Sequence, residues 1–325
     1  MSDKTLRRET QTRVTELIAR CAGVRTTLRA NDPTVIPGET VTVNVDTAVQ
    51  RPASDVRITG GVLALHGREV ARFNKNGAVD VAVPSSESMS AIDWLAKDPS
   101  TADWSGLGTH PLMARLTLKV GAAGYEIERP VVFPNVDPVL GERAQAVRVE
   151  PTFTVTPAQP VTTLLPGRSQ VVMFSVRANT DAARGSLTLE LPERLTAAPL
   201  DQPLTFARAG EEQLIGFEIT AGQAEPATIY PRVDDVRAWS RTYIDYSHLA
   251  PTVVLEPARL HAVPIDLDTS GVKGPIAYVQ GTGDRVAELL DAVGLNVELV
   301  EPADLVPEKL ERFHAVMLGV RAFNV

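Results

Sequence analysis

Two stretches share one grammar, and that grammar most limits what the chain can fold into. "PGETVTVNV" runs from Pro37 to Val45, with a Pro-Gly turn, a polar pair, and then Val41, Val43 and Val45 at every second position. "PGRSQVVMFSV", from Pro166 to Val176, repeats it with Val172, Phe174 and Val176. Side chains two apart on an extended chain share a face, so each stretch predicts a strand that buries one face. "GSLTLELP" alternates Leu187, Leu189 and Leu191, and "EEQLIGFEI" alternates Ile215, Phe217 and Ile219. "EVARFNKNGAVDVAV" carries Asn76-Gly77, a dipeptide suited to a two-residue hairpin because both residues tolerate positive φ. "MARLTLKVGAAGYEIERPVVF" predicts a second hairpin, Met113 to Phe133, turning at Gly121 to Gly124. Short strands at this spacing, with one apolar face each, predict β-sandwiches. Reuse of the grammar predicts two immunoglobulin-like sandwiches in tandem, at 29–145 and 146–250.

The flanks read differently. Residues 4–22 have a helical period, with Leu6, Val14, Leu17, Ile18 and Cys21 recurring at spacings near three and four. Residues 1–28 are therefore an N-terminal helix, docked on the next domain or left over from an upstream one. Pro84 to Pro111 is irregular and holds Trp94 and Trp104. Residues 251–275 read as a Pro-punctuated linker. At 276–325 the class changes. Ile276–Gln280 predicts a strand, Asp284–Ala292 a helix, Leu295–Val300 a strand, Ala303–Phe313 a short helix and Ala315–Val320 a third strand. This is the β-α-β-α-β start of a parallel sheet. "AVMLGV" is apolar on both faces, as a strand covered on both sides is. Nothing follows to cover it, so the expectation is an α/β fold truncated at Val325.

With 325 residues the chain should form more than one core. A net charge of −8 does not favour nucleic acid as partner. The single cysteine, Cys21, excludes an intrachain disulfide and a cysteine-based metal site. The N-terminus is charged early, without an apolar run of signal-peptide length. No stretch approaches the roughly 18 apolar residues of a membrane helix.

No recognisable active site emerges. Gly281-Thr282-Gly283 follows a strand and precedes a helix, but Val286 stands where a dinucleotide fingerprint needs a third small residue. Glu301 stands roughly where a ribose-binding acid would. Asp284 is expected to cap the helix N-terminus, which also disfavours a phosphate there. A nucleotide-dependent enzyme using Gly281 and Gly283 stays a third reading. His66, His110, His248, His261 and His314 show no metal-ligand spacing. No Gly-x-Ser-x-Gly elbow is present. Cys21 is expected to be a buried packing thiol. Asp234 and Asp235 fall in a "PRVDDVR" loop and read as a solvated pair. Trp94, Trp104 and Trp239 could stack on sugar rings, against the plainer reading of core or loop anchors. No catalytic, cofactor-binding or metal-binding residue is assigned.

The order of several phrases resembles the C-terminal region of large bacterial PIG-L (LmbE-like) family deacetylases. They are "ARCAGVRTTLRANDPTVIPGETVTV" (Ala19–Val43), "YEIERPVVFPNVDPVLGE" (Tyr125–Glu142), "VRVEPTFTV" (Val147–Val155), "ARAGEEQLIGFEIT" (Ala207–Thr220), "YIDYSHLAP" (Tyr243–Pro251) and "IAYVQGTGDRVAELLDAVGLNVELVEPADL…FHAVMLGVRAFNV" (Ile276–Val325). The resemblance implies a catalytic domain upstream, with a His-Pro-Asp-Asp motif that binds zinc and hydrolyses N-acetyl groups. His110-Pro111-Leu112-Met113 is not that motif, so no catalytic residue carries over, and zinc is expected only in the catalytic domain. The second sandwich is implied to be similar to NPCBM-associated modules. Residues 276–325 are implied to begin a class I glutamine amidotransferase-like domain, Rossmann-like in its sheet. Family members often look exported, though this chain shows no signal.

The expectation is a non-catalytic accessory or scaffold region of a PIG-L-like N-acetyl-sugar deacetylase, inactive alone. Its partners would be the upstream deacetylase domain and glycan, with no nucleic acid and no membrane span. The alternative is a stand-alone β-sandwich protein that binds carbohydrate or protein.

Overall fold

Pro37-Gly38 reverses the chain as its sequence requires: Gly38 has φ +92°, a conformation that a Cβ disfavours. The strand that follows buries Val41, Val43 and Val45 and exposes the residues between them. The same logic runs through a mainly β chain. The computed structural model of the protein describes residues 3–50, 56–90, 110–139, 141–165, 167, 169–222, 225–246, 251–265 and 267–322.

Helix α1 (Asp3–Cys21) leads into β1 (Val24–Ala30), β2 (Thr34–Val35), β3 (Thr40–Val49), β4 (Val56–Leu65), β5 (Arg68–Phe73) and β6 (Gly77–Ala82). Then come β7 (Leu112–Val120), β8 (Ala123–Pro130), β9 (Val132–Asp137), β10 (Gly141–Ala146) and β11 (Arg148–Val149). One sheet has the order β10-β9-β1-β3-β6 and another β5-β4-β7-β8, while β11 pairs in parallel with β2. Leu28, Val43 and Val81 from the first sheet share a core with Leu63, Leu65, Leu112 and Ala114 from the second. The arrangement is therefore sandwich-like, with two inner faces interdigitating.

Several expectations change here. The β7–β8 hairpin forms, and its turn closes on Gly121-Ala122, since Val120 faces Ala123. Asn76-Gly77 does not make a hairpin, because β5 and β6 lie in different sheets. The Asn76 carboxamide instead accepts from the backbone N–H of Thr47 at 3.0 Å, pinning a crossover. The hairpin turn in this region is His66-Gly67, between β4 and β5, with φ of +45° and +80°. The N-terminal segment is not all helix, since β1 begins at Val24 and pairs along its length with β3. Helix α1 plugs one end of the core with Ala19, against Leu116, Leu118 and Ile127. Val14 and Leu17 lie on an outward face, 50% and 62% exposed. The small Ala19 lets the helix axis approach the sheets, and Glu16 fixes its height by accepting from Arg129 at 3.0 Å.

The next group begins with β12 (Phe153–Pro157), β13 (Val161–Leu164), β14 (Ser169–Ala178), β15 (Arg184–Glu190), β16 (Leu195–Ala198) and β17 (Asp201–Thr205). It continues with β18 (Glu212–Ala221), β19 (Ala227–Val233), β20 (Val236–Arg237), β21 (Trp239–Ile244), β22 (Thr252–Pro257) and β23 (Leu260–Pro264). Sheet β16-β18-β14-β12-β21-β22 packs on sheet β13-β23-β19-β15-β17, with β20 beside β19. Phe174 and Phe217 meet edge to face at 6.1 Å between centroids, in a core that also takes Leu187, Ile229 and Leu260. The expected linker 251–275 is corrected for its first half. Thr252–Pro257 is hydrogen-bonded to β21, and Leu260–Pro264 bridges β13 and β19. The prolines that suggested a connector stand at the strand ends, where a missing N–H costs no ladder bond.

The chain continues with β24 (Ile276–Val279), α2 (Val286–Ala292), β25 (Val297–Leu299), a 3₁₀ turn Pro302–Asp304, α3 (Pro307–Leu310) and β26 (Ala315–Leu318). The helices are shorter than their sequence period suggested. The sheet is parallel, in the order β25-β24-β26. Strand β24 is buried throughout, whereas all four residues of β26 are exposed. Among the described residues, no helix is long and apolar enough to cross a membrane.

Candidate functional site: a charged seam between the two β units

The densest buried charge lies where the two β units meet. Strand β11 enters with alternating "VRVE", putting Val147 and Val149 into the first core. Arg148 and Glu150 face the other way, toward the second unit. Glu150 is 1% exposed and accepts from Nε of Arg241, on β21, at 3.0 Å. Arg148 is 6% exposed, and its Nη2 donates to Oγ1 of Thr252, on β22, at 2.9 Å. Arg177, on β14, is half-buried and feels Arg241 and Glu150. His110 is half-buried beside Arg148. Backbone bonds frame the seam: Glu150 N–H donates to Val35 O at 3.1 Å, and Asn179 Nδ2 to Pro151 O at 2.8 Å. At the margins, Arg143 pairs with Asp245 at 2.8 Å, and Thr180 Oγ1 donates to Glu39 at 3.1 Å.

Burial sets the electrostatics. Desolvation pushes the pKa of Arg148 down, and the Glu150 carboxylate opposes it. Burial and then Arg148 lower the His110 pKa. Burial and then Arg241 lower that of Arg177, against Glu150 and Glu212. Guanidiniums stay charged through such shifts. The seam is an ion cluster without a positioned nucleophile, and what it does chemically is hold two surfaces together.

The structure disperses the residues singled out from sequence. The N-cap position falls on Arg285, which makes no side-chain cap bond, while the Asp284 carboxylate one residue earlier takes the N–H of Val286, the first residue of α2. The Asp284 carboxylate also ties three segments together. It accepts from Tyr278 Oη at 2.9 Å, and from the N–H groups of Gly281 and Val320 at 3.0 Å each. Burial alone would raise its pKa, but these bonds, with one from Val286 N–H, outweigh it and hold the carboxyl below its ordinary range. Gly281 is required because a Cβ there would collide with the Val320 carbonyl and the Asp284 carboxylate. The Gly281–Gly283 turn is thus filled by the protein itself. Glu301 is exposed at the start of the 3₁₀ turn.

Cys21 is exposed, not buried, because α1 docks through Thr15 and Ala19, with Ala22 just beyond its end, on an adjacent stripe. Asp234 and Asp235 form the two-residue turn between β19 and β20, with φ of +47° and +64°. Asp234 Oδ1 accepts from Ser186 N–H at 2.9 Å. His66 Nδ1 lies 3.0 Å from Oε1 of buried Glu87, His261 Nδ1 3.3 Å from Thr228, and His314 is exposed. Trp239 is half-buried on β21, between β12 and β22. Trp94, Trp104 and His248 lie outside the described residues. No group of three or more His, Cys, Asp or Glu among the described residues could hold a metal ion.

The seam residues Arg148, Glu150, Arg177 and Arg241 were missed from sequence. Alternation in "VRVE" predicts a strand with one polar face, and a polar face reads as solvent-exposed until its cover is known.

No family model matches the chain, and no curated protein does. Among solved structures, one similar chain is Escherichia coli alpha-2-macroglobulin in its native conformation, 12% identical at TM-score 0.24, covering 74% of this chain and 17% of that one. The trypsin-activated form of alpha-2-macroglobulin from Escherichia coli is 8% identical at TM-score 0.27, covering 74% and 18%. A protein of unknown function from Porphyromonas gingivalis W83 is 12% identical at TM-score 0.18, covering 74% and 99%. The chain thus spans less than a fifth of the two macroglobulins it matches. Similarity this slight identifies no fold family.

Proposed function

We propose that this chain is a non-catalytic accessory region of a PIG-L-like N-acetyl-sugar deacetylase, a scaffold that positions the zinc hydrolase domain. The observation that carries the reading is the buried ion seam. Two β units joined by a desolvated Arg–Glu pair keep one mutual orientation, which suits a spacer better than a pair of freely hinged modules. The outward apolar stripe of α1, with Val14 and Leu17, offers a contact for the upstream catalytic domain. In this reading the two β units are immunoglobulin-like sandwiches. In the same reading residues 276–325 begin an amidotransferase-like α/β domain, and the parallel strand order β25-β24-β26 is compatible with it. Glycan is the proposed further partner. The test is an acetate-release assay on N-acetylglucosamine compounds with zinc present, together with small-angle scattering. No release by this chain and scattering from one fixed arrangement are expected. Release that scales with the chain and stops with chelator overturns the reading, as does scattering from independently moving units.

A further inference from the structure

The seam carries more positive charge than its own carboxylates answer. Arg148, Arg177 and Arg241 surround Glu150, whose carboxylate accepts from Arg241. Glu212, on β18 directly opposite Arg177, answers part of that charge but is itself exposed. Three buried nitrogens in or beside this cluster have no hydrogen-bond partner among the described residues: Nε of Arg148, Nε of Arg177 and Nδ1 of His110. Arg148 matters most, because it is more than nine-tenths buried and only its Nη2 is used. A buried guanidinium N–H without an acceptor is costly, and native proteins fill such positions with water or an anion. Water would satisfy the donors but leave the charge. A small anion satisfies both, and the Nε–Nη edge of a guanidinium matches two oxygens of an oxyanion.

We propose that the seam between the two β units is a binding site for a small oxyanion (phosphate, sulfate or a carboxylate), held by Nε of Arg148 with His110 beside it. The bound anion would act as a countercharge that clamps the units together. This goes beyond the scaffold reading and does not depend on the deacetylase assignment.

The test is calorimetric titration of the full chain with sodium sulfate, inorganic phosphate and sodium acetate in separate arms. Ionic strength is held constant with a bulky organic salt, and melting temperature is followed in parallel. Saturable binding is expected in at least one arm, with a melting temperature that rises and levels off. The three arms separate tetrahedral oxyanions from carboxylates. Arg148→Gln should weaken binding by roughly tenfold or more, from the loss of a charge-assisted pair. His110→Phe, which keeps the guanidinium, gives the second variant should Arg148→Gln not fold; it should weaken binding by a smaller factor. No saturable binding by the unaltered chain overturns the proposal, and so does binding by both variants as tight as that of the unaltered chain.

Discussion

Nε of Arg241 donates to Oε2 of Glu150 at 3.0 Å, and the two residues come from different β units. Their side chains are 17% and 2% exposed, so the pair is largely out of water. Removing one partner of a buried pair strands the other charge, which costs more than the pair itself contributes. Glu150→Gln should therefore lower stability by about 3 kcal/mol. Urea denaturation measures it, and scattering should show a looser arrangement of the units. An unchanged midpoint would mean that the seam is held by its backbone bonds alone.

Glu87 should make the fold less stable in acid. It is 9% exposed and accepts from His66 and Arg68. Burial alone would raise its pKa, but the two hydrogen bonds prevail and hold it below its ordinary 4.5. The folded value lies below the unfolded one, so the stabilisation is present above pH 4.5 and is lost as pH falls through the folded pKa. Glu87→Gln should flatten the dependence of unfolding midpoint on pH below that value. The check is urea unfolding across about pH 3 to 6. Equal slopes in the two proteins would assign the acid sensitivity elsewhere.

Asp235 holds φ +64° in the β19–β20 turn, a left-handed conformation that suits glycine better. Asp235→Gly should raise stability by about 0.5 kcal/mol, the relief of strain being offset in part by a more flexible unfolded chain. Thermal melting measures it. Destabilisation would show that the Asp235 side chain, not its backbone geometry, matters to the turn.

The parallel sheet should be the least stable part of the fold. Strand β26 is exposed along its length, with Val316 at 43% and Leu318 at 44%, and few apolar contacts cover it. Its amides should exchange hydrogen faster than those of β14. Gly281→Ala should speed exchange in β24 and β26 further, because a Cβ would displace Val320 and the Asp284 carboxylate, and leave β14 unchanged. Exchange in β26 as slow as in β14 contradicts both expectations.

Much of the fold was legible along the chain. Val41, Val43, Val45 and Val172, Phe174, Val176 are buried as their spacing required, because a period of two is a local property of an extended backbone. Turn chemistry was legible in kind and not in destination. Asn76-Gly77 marks a place where the chain departs from a strand, but nothing local says which sheet the next strand joins. Helical period located α1 and found Ile18 on its contact face, but misplaced Val14, Leu17 and Cys21. Val14, Leu17 and Cys21 are the larger residues, yet Ala19 faces the core because its small side chain allows the closer approach.

The sequence by itself determined which residues extend, which of their faces are apolar, and where Pro and Gly interrupt them. These follow from φ/ψ preference and from side-chain spacing, which act over a few residues. Tertiary structure decided that Arg148 and Glu150 are interior groups, that Thr252–Pro257 and Leu260–Pro264 are strands of two facing sheets, and that Asp284 serves the protein's own backbone. Each depends on a surface brought from far along the chain, such as β21 and β22 over Glu150 and Arg148, or Val320 over Asp284. A side chain's charge is written in the sequence, but the dielectric around it is set by whatever covers it.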